Sequence, residues 1–367
     1  MTSSVLDFEA FQMRETSSPI EQLQTKTGRE WPNLARARQR SNETHTRLGE
    51  LLRDQDPSDT SIVVFGSLAR GEYTSGSDLD WTLLIDGQAD EAHYAQVQAI
   101  SRILQENTYQ EPGPTGVFGN FAFSHPILHQ IGGQDDTNKN TTQRILLLLE
   151  SLAIGKQDAH ERVLRLVLSR YIDDDRGIRF SGNKKFLVPQ VLLNDIVRYW
   201  RTVTVDFVSK QRERANGWAL RNAKLRMSRK LIFVSGLLTC FSFVLFGQDE
   251  QLTDMQGRAL PPALLRVLRA RLRRTPLENL AEALLRPAVT AETGRILFDA
   301  YDKFLGVLED KEKRTQLKRL PLDDNLGKDP LFREVMQLGR SFQEGLDRLF
   351  FKEDEILFQL IKAHGVF

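Results

Sequence analysis

Cysteine is nearly absent from this 367-residue chain: Cys240 stands alone, which excludes an internal disulfide. With 6 histidines in the whole sequence, no Cys/His cluster has the spacing of a zinc site. A reducing, cytoplasmic setting is the expectation. An excess of one charge is lacking as well. Lys and Arg number 50 against 49 Asp and Glu, a formal net charge of +1. No overall field draws in a nucleic acid or an acidic partner, so any anion site has to be local. The opening MTSSVLDFEAFQMRE carries acids early and no apolar h-region, so it does not read as a secretory signal. The most apolar run, LIFVSGLLTCFSFVLF at 231–246, falls short of the ~20 residues a membrane-crossing helix requires, so a buried helix and no membrane are expected. No fixed-period repeat is present.

What is there is enough chain for more than one hydrophobic core, so two domains, or one compact domain with a large extension, are expected. Residues 19–55 place Trp31, Leu34, Ala37, Leu48 and Leu51 at helical spacing and end in DQDPSD, which predicts one or two leading helices. SIVVF at 61–65 and DLDWTLLID at 78–86 read as strands, and DEAHYAQVQAISRILQE at 90–106 reads as a helix. After EPGPTGVFGN, FAFSHPILHQI reads as a third strand. Beyond Gly132-Gly133 the segments are long and amphipathic, TTQRILLLLESLAI first among them, and the rest is expected to be helical. Turn-rich breaks fall at 173–184, 247–262 and 320–330. The fold class is therefore α+β, with a small mixed sheet followed by an α-helical domain.

The stretch FGSLARGEYTSGSDLD carries the chemistry. A strand runs into Gly66-Ser67, where glycine permits close backbone approach and the serine hydroxyl and following amides can bind phosphate oxygens. The chain returns with Asp78 and Asp80 at i and i+2, so in an extended segment both carboxylates share one face, a set of hard oxygen ligands suited to Mg²⁺ or Mn²⁺. A phosphate cradle beside a metal platform is what nucleotidyl transfer needs, because metal ions orient a triphosphate and stabilise the departing pyrophosphate. As plain structure, Ser67 would cap a helix and Gly71 and Gly76 would make turns, but Asp80 beside Trp81 in an apolar strand would then have no purpose.

This ordered pattern resembles the DNA polymerase β-type nucleotidyltransferase superfamily. GSLARGEYTSGSDLDWTLLI is most similar to the PII-protein uridylyltransferase-like bacterial branch, and TTQRILLLLES and GWALRNAKLRMSRKLIF look like later segments of that branch. The resemblance implies a catalytic domain over 1–160, N-terminal helices included, and an α-helical domain over 161–367 closing a nucleotide cleft. It implies that Asp78 and Asp80 are catalytic and hold Mg²⁺ or Mn²⁺, that Gly66 and Ser67 hold the triphosphate of ATP or another nucleoside triphosphate, and that Lys224 reaches the phosphates from the helical part. The helical spacing of the basic run also brings Lys224 near Arg221 and Lys230.

The superfamily supplies a third carboxylate from a later strand, and FAFSHPILHQI contains no acid. Asp135 and Asp136 are the nearest acids beyond it; Asp136 is the expected third ligand, ahead of Glu150 and Glu72. Arg70 and Arg144 either touch the triphosphate or pair with a neighbouring acid. His125 or His129 either acts as a base or packs, and Tyr199, Trp200 and Trp218 either stack a nucleobase or belong to the core. The acceptor stays open among a protein side chain, an RNA 3′ end, a small molecule and another nucleotide, and nothing assigns an oligomeric state. Two other readings stand beside the enzyme: a nucleotide-binding regulatory module without turnover, and a helical interaction protein whose partner surface lies on 262–367.

Overall fold

The computed structural model describes residues 17–55, 59–113, 118–175, 188–212, 217–246, 261–322 and 326–365. The N-terminal stretch read against a secretory signal, and most of the breaks at 173–184 and 247–262, lie outside the described residues.

Helices α1 (Pro19–Thr27) and α2 (Pro32–Leu51) lead into strand β1 (Thr60–Phe65), the short helix α3 (Gly66–Ala69) and strand β2 (Trp81–Ile85). Helix α4 (Ala92–Glu106), strand β3 (Asn120–Phe123), helices α5 (Ser124–His129) and α6 (Asn138–Leu149) and strand β4 (Ser151–Ile154) complete the mixed unit. The four strands lie in the order β3-β2-β1-β4. The β1–β2 and β1–β4 pairs are antiparallel, and β2–β3 is parallel. Every residue of β1 and β2 is buried, as expected of central strands covered on both faces. The remainder is helical: α7 (Asp158–Asp174), α8 (Gln190–Arg212), α9 (Trp218–Lys224), a π-helical turn (Leu225–Arg229), α10 (Lys230–Phe246), α11 (Pro261–Leu272), α12 (Pro276–Leu284), α13 (Ala291–Glu309), α14 (Lys311–Arg319), α15 (Pro330–Arg348) and α16 (Glu355–Leu360). The α+β class read from the sequence is what the structure has.

Two segments fold differently from their sequence reading. FAFSHPILHQI gives a strand only to Phe123 and then turns into α5. Pro126 sits in the first turn of that helix, where its missing N–H breaks no helical hydrogen bond. TTQRILLLLESLAI is not one helix: α6 ends at Leu149, Glu150 leaves the helical region at φ −148°, and Ser151–Ile154 adds β4 to the free edge of β1. The Ser151 hydroxyl donates to the Leu147 carbonyl at 2.5 Å, satisfying one of the last helical acceptors.

The apolar run at 231–246 is longer as a helix than as a hydrophobic string. It continues α9 through the π turn, so Trp218–Phe246 forms one helix of 29 residues that passes the length and composition test for a membrane span, with 72% of its most apolar stretch buried inside the protein. Its residues pack against α6, α8, α11 and α12, the position of a core helix. The N-terminal helices turn toward the far end of the chain: α1 packs on α12 and α13, and α2 on α13. The boundary expected at 160/161 falls inside α7, which packs against β1 and β2. One apolar cluster joins Val63, Phe65 and Leu84 of the sheet to residues from Ile20 to Ile361.

Candidate active site

Gly66 ends β1 with φ +67°, a conformation that glycine adopts without strain. A β-carbon there would stand 2.8 Å from Oδ2 of Asp80, so the absent side chain is also what lets that carboxylate lie across the turn. Asp80 is held in place through its backbone, because Phe65 N–H donates to the Asp80 carbonyl at 2.9 Å. Leu79, between the two acids, is buried, and its N–H donates to the Gln110 carbonyl at 2.9 Å. Asp78 and Asp80 thus lie on the extended approach to β2 rather than within it, and both remain partly open to solvent.

The charges around them are unequal. Burial, then the neighbouring carboxylates of Asp78 and Glu150, pushes Asp80 up to about 7, against the pull of Arg229 and Lys224. Burial also works against the charge of Asp78, but Lys224, the local backbone, Arg314 and Lys318 together hold it below the usual carboxylate range. Lys224 Nζ lies 3.9 Å from Asp78 Oδ1. Arg314, on α14, packs its side chain against Gly76 and donates from Nη1 to the Thr74 hydroxyl at 3.4 Å. The C-terminal helices therefore reach the loop between Gly66-Ser67 and Asp78.

A cavity of about 400 Å³ shares Lys224 and Arg229 with these groups, and neither aspartate lines it. Phe118, Thr142, Phe207, Arg221, Lys224 and Arg229 are among its lining residues, a mixture of aromatic, hydroxyl and cationic groups of a size that takes a small ligand. Lys230 is not part of it: its Nζ donates to Gln343 at 2.5 Å on α15, so the regular-helix spacing that joins Lys224 to Lys230 is replaced by the π turn.

Several expected site residues are engaged elsewhere. Asp136 does not join Asp78 and Asp80. Its carboxylate accepts from Arg144 at 3.0 Å, from Arg198 at 2.9 Å and from the Gly132 N–H at 3.0 Å, and among the described residues no group of three or more His, Cys, Asp or Glu is arranged to hold a metal. A carboxylate already met by two guanidinium groups is neutralised by them and has little to offer a cation. Arg70 is also not aimed at a phosphate. It is buried, donates from Nε to Glu72 at 3.0 Å and from Nη1 to Glu150, and these two acids take its charge. Tyr301 on α13 completes that cluster, donating to Glu72 at 2.9 Å. Arg144 is fully buried between Tyr171, Asp136 and Asp195.

The two histidines of α5 lie on its exposed side with their ring centroids 4.8 Å apart. Tyr199 is fully buried, Trp200 stacks on Phe233 at 5.3 Å, and Trp218 packs between Phe207 and Phe332. The aromatic rings that line the cavity are Phe118 and Phe207, which no local pattern in the sequence had marked. Arg314 and Lys318 were also not foreseen; the basic run KEKRTQLKR was their only signal, and a run of that kind usually just faces water.

Asp78 and Asp80 fit a magnesium ion of the kind that takes one or two carboxylates and completes its octahedron with water and substrate phosphates. Burial first, and the neighbouring carboxylates after it, disfavour the Asp80 anion, and a divalent cation would offset both. Residues 46–112, which contain all of this turn and both aspartates, match the family model described as a nucleotidyltransferase domain. No curated protein matches the chain.

Proposed function

We propose, from the nucleotidyltransferase domain over residues 46–112, that the protein transfers a nucleoside monophosphate from a nucleoside triphosphate to an acceptor hydroxyl, with release of pyrophosphate and in dependence on Mg²⁺ or Mn²⁺. The observation that carries this reading is the seating of Asp80 across Gly66 beside Asp78, with Lys224, which also lines a cavity with Arg229, 3.9 Å from Asp78. Asp78 and Asp80 would hold the metal, which supplies charge neutralisation to the triphosphate. The Ser67 hydroxyl and the amides of the turn would meet phosphate oxygens, and Gly66 lets the Asp80 carboxylate lie across that turn. Lys224, Arg314 and Lys318 provide positive charge on the Asp78 side, where a departing pyrophosphate needs it. Phe118 and Phe207 offer faces for a base, and the acceptor proton passes to solvent or to a carboxylate. The acceptor is a protein side chain, an RNA end or a small molecule, and we place the protein in the cytoplasm.

The engagement of Asp136 by Arg144 and Arg198 favours a second reading, a nucleotide-binding regulatory module without turnover. One experiment separates the two. Each nucleoside triphosphate, labelled at the α-phosphate, is incubated with the protein and Mg²⁺ or Mn²⁺ beside the Asp78→Asn and Asp80→Asn variants. The enzyme reading predicts label on an acceptor, matched by pyrophosphate and lost in both variants. Metal-dependent binding without release of pyrophosphate would establish the regulatory module, and no binding of any triphosphate would remove both.

A further inference from the structure

The cavity beside the site continues into a larger one. This outer cavity, of about 580 Å³, shares Asn138, Thr202 and Asp206 with the inner one, and each is of a size that takes a small ligand. One stripe of α8 lines the outer cavity, because Asn194, Arg198, Arg201, Thr202 and Val205 recur at spacings of three and four residues.

The inner cavity is fixed to the catalytic turn by three contacts. Phe118, which lines it, packs on Phe65 with ring centroids 5.1 Å apart. The next residue, Gly119, donates its N–H to the Trp81 carbonyl at 2.7 Å, and Lys224 Nζ lies 3.9 Å from Asp78 Oδ1. Phe65 and Trp81 are the chain neighbours of Gly66 and Asp80. The outer cavity reaches the other way, to His364 and Gly365, and neither Lys224 nor Arg229 lines it.

Charge along this groove is one-sided. Lys139, Arg221, Lys224 and Arg229 line the inner cavity, and Arg198 and Arg201 the outer one; Asp206, where the two meet, is the one acid among the lining residues. Arg198 is committed to Asp136 at 2.9 Å and to Asn138 at 3.3 Å. Arg201 is exposed, and its guanidinium has no ion pair or hydrogen bond among the described residues. A triphosphate held at Asp78 and Asp80 occupies the inner end and leaves Arg201 without an anion. Around Arg201 the groove offers the amides of Asn138 and Asn194 and the hydroxyl of Thr202, and a guanidinium can donate to two oxygens of one phosphate. An acid at the junction repels a phosphate there and accepts from a hydroxyl, which sets a direction along the groove.

We propose that the outer cavity binds the acceptor, and that the acceptor is itself a nucleotide, free or at the 3′ end of an RNA. Its phosphate lies on Arg201, and a ribose hydroxyl at the junction faces the inner cavity. The assignment rests on the nucleotidyl transfer proposed above. In that step the ribose oxygen forms a bond to the α-phosphorus of the triphosphate, and the bond from that phosphorus to the oxygen bridging to the β-phosphorus breaks. The electron pair leaves with pyrophosphate, and the hydroxyl proton goes to solvent.

The test gives the full chain Mg²⁺, a nucleoside triphosphate labelled at the α-phosphate, and acceptors in separate arms: a short single-stranded RNA, free nucleoside 5′-monophosphates, the matching nucleosides, and peptides containing serine and tyrosine. Label should pass to the RNA or to a monophosphate, and the arm that takes it names the source of the nucleotide. In Arg201→Ala the acceptor KM should rise about tenfold, while kcat and the triphosphate KM stay within about twofold. The advantage of a monophosphate over its nucleoside should vanish in that variant, which a purely structural role of Arg201 would not produce. If RNA is the acceptor, its affinity should lose about 0.7 from the slope against log salt. Arg201→Lys should recover part of the affinity, and Arg201→Gln carries the comparison if Arg201→Ala does not fold. Label on the peptides alone, or an acceptor KM unchanged in Arg201→Ala, overturns the assignment. Wild type that releases no pyrophosphate in any arm removes the proposed function instead. Calorimetric titration of the monophosphates then reads the outer cavity by itself, and no binding, or binding unchanged in Arg201→Ala, overturns the nucleotide site as well.

Discussion

Asp80 has a protonation equilibrium close to neutrality, and the sign of its consequence can be worked out. Its folded value, about 7, lies above the 3.8 of an ordinary aspartic acid because burial, then Asp78 and Glu150, disfavour the anion. The folded protein therefore binds a proton more tightly than the unfolded chain, and this group's contribution to stability falls as pH rises from about 4 to about 7, the cost being fully present above that. A divalent cation must displace the same proton. Below about pH 7, affinity for Mn²⁺ should rise by up to tenfold per pH unit and then level off, as read by electron paramagnetic resonance titration. In Asp80→Asn the pH dependence should disappear along with most of the affinity. A wild-type affinity flat between about pH 5.5 and about pH 8.5 would show that Asp80 does not bind the cation.

At the scale of elements, Arg70 matters as a joint rather than as a ligand. It follows α3, Glu72 lies in the loop beyond, Glu150 joins α6 to β4, and Tyr301 belongs to α13, so one buried guanidinium ties four parts of the fold. Removing it leaves two buried carboxylates uncompensated, which costs about 3–5 kcal/mol by analogy with other buried pairs. Arg70→Met should lower the denaturation midpoint sharply in a chemical unfolding experiment, and Glu150→Gln in the same background should restore part of the loss. If the double variant is no more stable than the single one, the two side chains are not coupled as their contact implies. The same joint shows why β4 reads as helix in the sequence: Ser151–Ile154 is too short to show a period of its own after the leucine run that ends α6, and only the vacant edge of β1 selects a strand after Glu150.

Across the whole molecule, the helices from the two ends of the chain close around one another. Gly345 on α15 faces α13 so closely that a β-carbon would meet Cγ of Leu297 at 2.4 Å. The apolar cluster extends from there to the sheet, so a change at that contact tests whether the C-terminal helices and the four-stranded sheet unfold together. Gly345→Ala should cost about 1–3 kcal/mol through overpacking and lower the melting temperature in a single shifted transition. Two separated transitions would show that the cluster does not act as one cooperative core.

The sequence by itself determined the α+β class, the two central strands, the Gly66-Ser67 turn and the placing of Asp78 and Asp80. These depend on neighbours in the chain: β-branched runs, a glycine where the backbone turns left-handed, and a two-residue spacing that puts both acids on one face. The family match to residues 46–112 falls on that same local pattern. Tertiary structure alone decided the rest. Asp136 was assigned by proximity in sequence, but Arg144 and Arg198 reach its carboxylate from later helices. Arg314 meets Thr74 across 240 residues of chain. A π turn moved Arg229, and not Lys230, into the cavity with Lys224. Such pairings depend on which helix face lies against which strand end, and that is set by packing over the whole core rather than by any spacing along the chain.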